Sequence, residues 1–146
     1  RRRRQRPMAR DFKALVRLND WEVDQKRRAL GEELRQLDNL EGNLSALESE
    51  VAREKAAAEA MPTEGGIFFG SYAEIARARR EDLERRIAEQ QASVEHARDR
   101  LSAAYLELKK FEIAEEARVN RIDAEEARAE QADLDEIGIT AHIRKS

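Results

Sequence analysis

An all-α fold, a long antiparallel two-helix coiled-coil hairpin, is what this 146-residue sequence predicts. Three observations carry that expectation. Ala, Glu, Arg and Leu dominate, the composition of long helices. Apolar residues recur every seven positions on both sides of the chain's middle. Between Pro7 and Gly138 there is one strong helix break, Met61-Pro62-Thr63-Glu64-Gly65-Gly66-Ile67-Phe68-Phe69-Gly70-Ser71. A short break between two long amphipathic segments makes a hairpin. With 40% of residues charged and 5% aromatic, the chain lacks the bulky apolar material of a conventional core. The regular apolar spacing separates it from a disordered chain of similar charge.

The N-terminus reads Arg1-Arg2-Arg3-Arg4-Gln5-Arg6-Pro7-Met8. Residues 1–7 are expected to be a disordered basic extension, and the chain is expected to be a fragment, an extended translation or one that starts natively at Met8. Pro7 suits the first turn of a helix, and Asp11 is placed to cap one beginning slightly later. Helix 1 is expected over about 10–60. Its seam runs through Val16, Val23, Leu30, Leu37, Leu44, Val51 and Ala58, with Leu40 and Leu47 at the companion positions. The earlier companions are Asn19, Lys26 and Glu33, so the seam is weaker there. Leu15, Leu18 and Trp21 follow a three-residue spacing that leaves the seam. Trp21 either packs against the C-terminal segment or stands outward as a partner-docking residue.

The break, residues 61–71, is expected to be the turn. Pro62 disfavours the α conformation in the residue before it. Gly65, Gly66 and Gly70 permit the backbone a reversal requires. Ser71-Tyr72-Ala73-Glu74 then reads as a capping box that restarts the chain as helix 2, over about 72–137. Ile67, Phe68, Phe69 and Tyr72 cluster here. They can fold back over Ala57, Ala60 and Ile75 or remain exposed.

Helix 2 has seam positions Ile87, Val94, Leu101 and Leu108, with Leu83, Ala97, Ala104 and Phe111 as companions and Gln90 as an interruption. Pairing about the turn sets Leu44 beside Ile87, Leu37 near Val94, Leu30 near Leu101 and Val23 near Leu108. Past Phe111 the apolar repeat shifts to Val119, Ile122 and Ala129, then Leu134 and Ile137, which reads as a stutter. Beyond about Arg121 the second helix should overhang the first. Gly138 suits its C-cap, leaving 139–146 as a tail. The N-terminal segment is basic and Glu112–Glu136 is acidic, so the hairpin sets opposite charges side by side. Arg77, Arg79, Arg80, Arg85 and Arg86 form a basic patch past the turn, read as a solvated face. The whole of 8–138 forms one domain.

The sequence argues against several classes of function. A net charge of −3 implies no bulk electrostatic partner. The absence of cysteine removes disulfides, thiolate chemistry and Cys-based metal sites. No apolar run approaches the ~20 residues that span a bilayer. Gly65-Gly66 lacks the Lys-Ser or Lys-Thr of a phosphate loop. His96 and Asp99 share a helix face, but two ligands make a poor metal site. Nothing raises a carboxylate pKa for acid–base work. No enzyme, cofactor or metal is expected. A nucleic-acid partner is not expected either, because the basic residues lack interleaved aromatics.

The chain from Met8 to about Arg144 resembles FliJ, the small coiled-coil protein of the bacterial flagellar type III export apparatus, and its injectisome relatives. The resemblance rests on Leu15-Val16-Arg17-Leu18-Asn19-Asp20-Trp21 with Asp24 and Arg27-Arg28, and on Tyr72-Ala73 with Arg79-Arg80-Glu81. Leu108-Lys109-Lys110-Phe111-Glu112 and the Gln131–Glu136 stretch complete it. What it implies is a non-enzymatic stalk that couples the export ATPase hexamer to the cytoplasmic domain of the export gate, with export chaperones as further partners. It implies roles in flagellum biogenesis, motility and chemotaxis. The protein would be cytoplasmic and peripherally associated with the inner face of the membrane. On that reading Leu18, Trp21 and Leu134 meet the ATPase, while Ile67, Phe68, Phe69 and Tyr72 meet the gate. The rival reading is a generic coiled-coil scaffold or chaperone hairpin of another assembly.

Overall fold

A computed structural model describes residues 12–61 and 65–145. The Arg1–Pro7 extension, Asp11 and Pro62 lie outside the described residues, so the expectations placed on them do too. Two helices are present, α1 (Lys13–Ala60) and α2 (Gly65–Lys145), with no strand among the described residues. They pack against each other as an antiparallel hairpin. No described helix is long and apolar enough to cross a membrane. Contacts divide the chain into two compact units, one of Val23–Ala103 and one of Arg1–Glu22 with Ala104–Ser146.

In the Val23–Ala103 unit, the inward positions of α1 are Val23, Lys26, Leu30, Glu33, Leu37, Leu40, Leu44, Leu47 and Val51, all buried or half-buried. Those of α2 include Phe69, Ala76, Leu83, Ile87, Gln90, Val94, Ala97 and Leu101. The spacing alternates three and four residues, the rhythm of a seam between supercoiled helices. Leu30, Leu37, Leu44, Ile87, Val94 and Leu101 all lie in it, as the heptads predict.

The register differs from the expected one. Gln90 Nε2 donates to the Glu33 backbone carbonyl at 2.9 Å and also to the Glu33 carboxylate. Near the turn, Gly65 abuts Ala58. These contacts set Ile87 at the level of Leu37 and Val94 at the level of Leu30, one heptad away from the pairing of Leu44 with Ile87. Apolar repeats of equal period match in either register, so periodicity alone does not choose between them. Two of the polar interruptions, Glu33 and Gln90, do choose, because here they satisfy each other.

Helix boundaries move with the register. The turn is shorter than 61–71, and α2 begins at Gly65 rather than near 72. Ser71–Glu74 therefore lies inside a helix and caps nothing. No described glycine has positive φ. Gly65 is needed for close approach instead: a Cβ there would sit 2.8 Å from Ala58 Cα and 2.9 Å from its carbonyl oxygen. At the other end, Gly138 does not cap α2, which continues to Lys145. Glycine weakens a helix by about 1 kcal/mol relative to Ala but does not by itself end one.

In the other unit, the phase shift after Phe111 does not reach the packing. The inward positions continue as Phe111, Glu115 and Arg118, while Val119 and Ile122 are exposed. Arg118 holds Glu115 through two hydrogen bonds of 3.0 and 2.7 Å. The Phe12 N–H, just ahead of α1, donates to Glu115 Oε2 at 3.2 Å. A carboxylate on one helix thus satisfies a free donor at the start of the other. The Phe12 and Phe111 rings lie beside this contact, with centroids 6.2 Å apart. Every residue from Val119 to Lys145 is exposed, as expected for an overhanging helix.

The hydrogen bond from Arg118, the Phe12 N–H and the charges of Arg118 and Lys13 hold the Glu115 carboxyl below its ordinary pKa, against a smaller opposing effect of burial. A lowered folded-state pKa contributes stability above the unfolded value, and that stability is lost as pH falls through the folded one. Glu115→Gln should therefore lower the melting temperature by a constant amount above about pH 5, and the difference should shrink at more acidic pH. Thermal melts of both proteins across pH 3–8 check this. A second expectation concerns the seam. Leu47→Ala, at a buried position, should cost about 2–3 kcal/mol in denaturant unfolding. Leu106→Ala, at an exposed one, should stay within about 0.5 kcal/mol.

Candidate partner-binding surfaces

Past the turn, the four apolar residues Ile67, Phe68, Phe69 and Tyr72 separate into two pairs. Phe69 and Tyr72 turn toward α1, their ring centroids 6.3 Å apart, and line an open cleft with Glu54, Ala57, Ala58 and Met61, with the mostly exposed Phe68 at its edge. The Tyr72 hydroxyl is covered and lacks a well-formed hydrogen bond. Burial, then the Glu50 carboxylate and more weakly Glu54, raise its pKa against the opposing charge of Arg79. Ile67 and Phe68 point outward, 76% and 77% exposed. A helix start presents side chains on every side, and the partner helix covers one side only.

Ile75 does not take part in the fold-back that the sequence suggested. It is 56% exposed and lies seven residues from Phe68, on the same helix face. Met61 is also exposed. The uncovered apolar patch is therefore Met61, Ile67, Phe68 and Ile75, of which the sequence reading singled out Ile67 and Phe68. The seven-residue interval from Phe68 to Ile75 was the signal that could have added Ile75. The neighbouring arginines are partly engaged. Arg80 bridges to Glu48 of α1 and to Glu84, each at 3.2 Å, and Arg86 bonds Asp82 at 3.0 Å.

In the unit that contains both ends of the described chain, Trp21 is 55% exposed and Leu18 nearly as much. The C-terminal segment does not cover Trp21. Leu15 is partly exposed as well, so Leu15, Leu18 and Trp21 form a strip along one side of α1 at three-residue spacing. Leu134 is 62% exposed, but the structure does not bring it to that strip. Glu115 is the residue that meets Phe12, and Leu134 lies 19 positions further along α2, roughly 28 Å at helical rise. Leu134 belongs instead with Ile137, three residues on and on the same side of α2, which is also exposed.

Both surfaces are built mainly of apolar side chains. Among the described residues, no group of three or more His, Asp or Glu could hold a metal. What both offer is apolar area on rigid helices, the raw material of protein–protein contact.

Comparison with known proteins gives these surfaces a context. The family described as Flagellar FliJ protein matches residues 8–146. Two curated relatives, both named Flagellar FliJ protein, come from Caulobacter vibrioides strains NA1000 / CB15N and ATCC 19089 / CIP 103742 / CB 15. Each is 33% identical over 128 residues, covering 86% of this chain and 90% of the relative. No solved structure matches the chain. The match spans both helices, the turn and both apolar surfaces, and on that ground the chain belongs to the flagellar FliJ family.

Proposed function

We propose that this chain is a component of the flagellar type III export apparatus, a non-enzymatic stalk that couples the export ATPase hexamer to the membrane export gate. The observation that carries the reading is the family match over residues 8–146. The exposed apolar residues support it physically. A protein of this composition has little apolar material to spare, yet it leaves Trp21, Leu18, Ile67, Phe68 and Leu134 uncovered. Large side chains of this kind are hot spots when a partner buries them.

On this reading the Leu15–Leu18–Trp21 strip and the C-terminal part of α2 around Leu134 meet the ATPase. Ile67 and Phe68 meet the cytoplasmic domain of the gate. Phe69 and Tyr72, being engaged with α1, hold the helix start in place and act on the partner indirectly. The protein works in the cytoplasm, at the inner face of the membrane at the flagellar base, and export chaperones are further partners.

Co-purification with the ATPase encoded in the same genome tests the first contact. Trp21→Ala should weaken that complex by about 10-fold or more while leaving helix content unchanged. If Trp21→Ala instead lowers the melt and leaves binding intact, the residue is structural. The second contact is tested by a double variant, Ile67→Ala with Phe68→Ala. It should leave the melt and ATPase binding unchanged but reduce swimming and the export of flagellar subunits. Phe69→Ala should lower the melt, because that ring packs on Tyr72. Normal swimming by the double variant would remove the gate-docking role.

A further inference from the structure

Two features of the Val23–Ala103 unit fit a packing other than the one seen. The first is the equal period of the two seams. Moving α2 by one heptad along α1, ~10 Å at helical rise, would bring Ile87 to Leu44, Val94 to Leu37 and Leu101 to Leu30. Apolar again meets apolar at these layers. The second is Ser71-Tyr72-Ala73-Glu74, a complete helix-start signal with no helix start to serve, since α2 already began at Gly65. It lies one heptad into α2, just past Gly65, Gly66 and Gly70, the weakest helix formers apart from proline. Unwinding that first stretch would start α2 at Ser71 with its cap already in place. It would also lengthen the turn by the residues the shift requires.

Besides the packing of Phe69 on α1, two contacts favour the observed register. One is Gln90 against Glu33. After the shift Gln90 would come level with Leu40, and Glu33 with Ala97. Each polar group would then lie in the seam without its partner, which costs more than the bond itself gains. The other is the approach of Gly65 to Ala58, which leaves no room for a Cβ.

We propose that this hairpin has two packing registers one heptad apart. The Glu33–Gln90 pair selects the observed one, and the Ser71–Glu74 box marks the start of α2 in the other. Gly65–Gly70 is the segment that winds or unwinds between them.

The chain has no cysteine, so introduced pairs report register directly. Leu37→Cys with Ile87→Cys reads the observed packing, and Leu37→Cys with Val94→Cys reads the shifted one. Intrachain disulfide formation under mild oxidation, in dilute protein, is measured for both. In the otherwise unchanged chain the first pair should close at least about 10-fold faster than the second. Adding Gln90→Leu should raise the rate of the second pair relative to the first by about 10-fold, and adding Ser71→Ala as well should reverse part of that gain. Gly65→Ala is an independent route to the same shift, because it disfavours only the observed packing. The proposal fails if the second pair stays at its starting rate in both the Gln90→Leu and Gly65→Ala chains. It also fails if both chains lose their helical circular dichroism, since the shifted register is itself a helical packing. If one of them does, the other decides.

Discussion

Two helices that pack only on each other can bury one stripe apiece, and the narrowness of that stripe governs this structure. Only Val23, Leu47, Ala76, Val94, Ala97 and Leu108 are buried among the described hydrophobic residues, and no polar residue is. The rest of the seam is half-covered. Hydrophobic burial therefore contributes less per residue than in a globular core, and specificity rests on a few directed contacts. The seam also repeats with the heptad, so its apolar layers are nearly interchangeable. A fold of this kind needs something aperiodic to hold it in place.

The aperiodic elements are polar or small. Gln90 meets Glu33 across the seam, where each taken alone reads as a flaw in the apolar pattern. Gly65 lets the backbone of α2 touch α1 at Ala58. In the other unit Glu115 occupies a seam position and gives its carboxylate to Arg118 and to the Phe12 N–H. The cost of placing a charged group at the interface is offset because each of its partners is already present. Polar groups at such positions specify register at some cost in stability.

A narrow seam has a second consequence, the apolar surface left over. Leu18, Trp21, Ile67, Phe68, Ile75, Leu134 and Ile137 have no helix to cover them. In a flagellar FliJ protein working as proposed, between an ATPase and a membrane gate, these residues are the material of the contacts. The surrounding charge keeps the chain from associating indiscriminately. Rigid helices carry the side chains, so little conformational order has to be gained on binding.

Much of this was determined by the sequence alone. Period-seven spacing placed Leu30, Leu37, Leu44, Ile87, Val94 and Leu101 in one seam, and the break between the two heptad segments marked the region of the reversal. Periodicity reports which face of a helix is buried, and it did so correctly for α1 and for α2 as far as Phe111, beyond which the shifted apolar repeat is exposed. The same logic left Trp21 and Leu18 off the seam, and they are exposed. What periodicity cannot carry is the position of one helix along the other, because a repeating pattern matches itself after every heptad. The tertiary structure decided that through Gln90 with Glu33 and through the contact of Gly65 with Ala58. It also decided the fate of the four residues past the turn, sending Phe69 and Tyr72 inward and Ile67 and Phe68 outward, since that choice depends on where α2 begins. Local signals such as the Ser71–Glu74 box and Gly138 state where a helix can start or stop. Where it does so depends on whether the added turns find a partner or, as at Gly138, can continue without one.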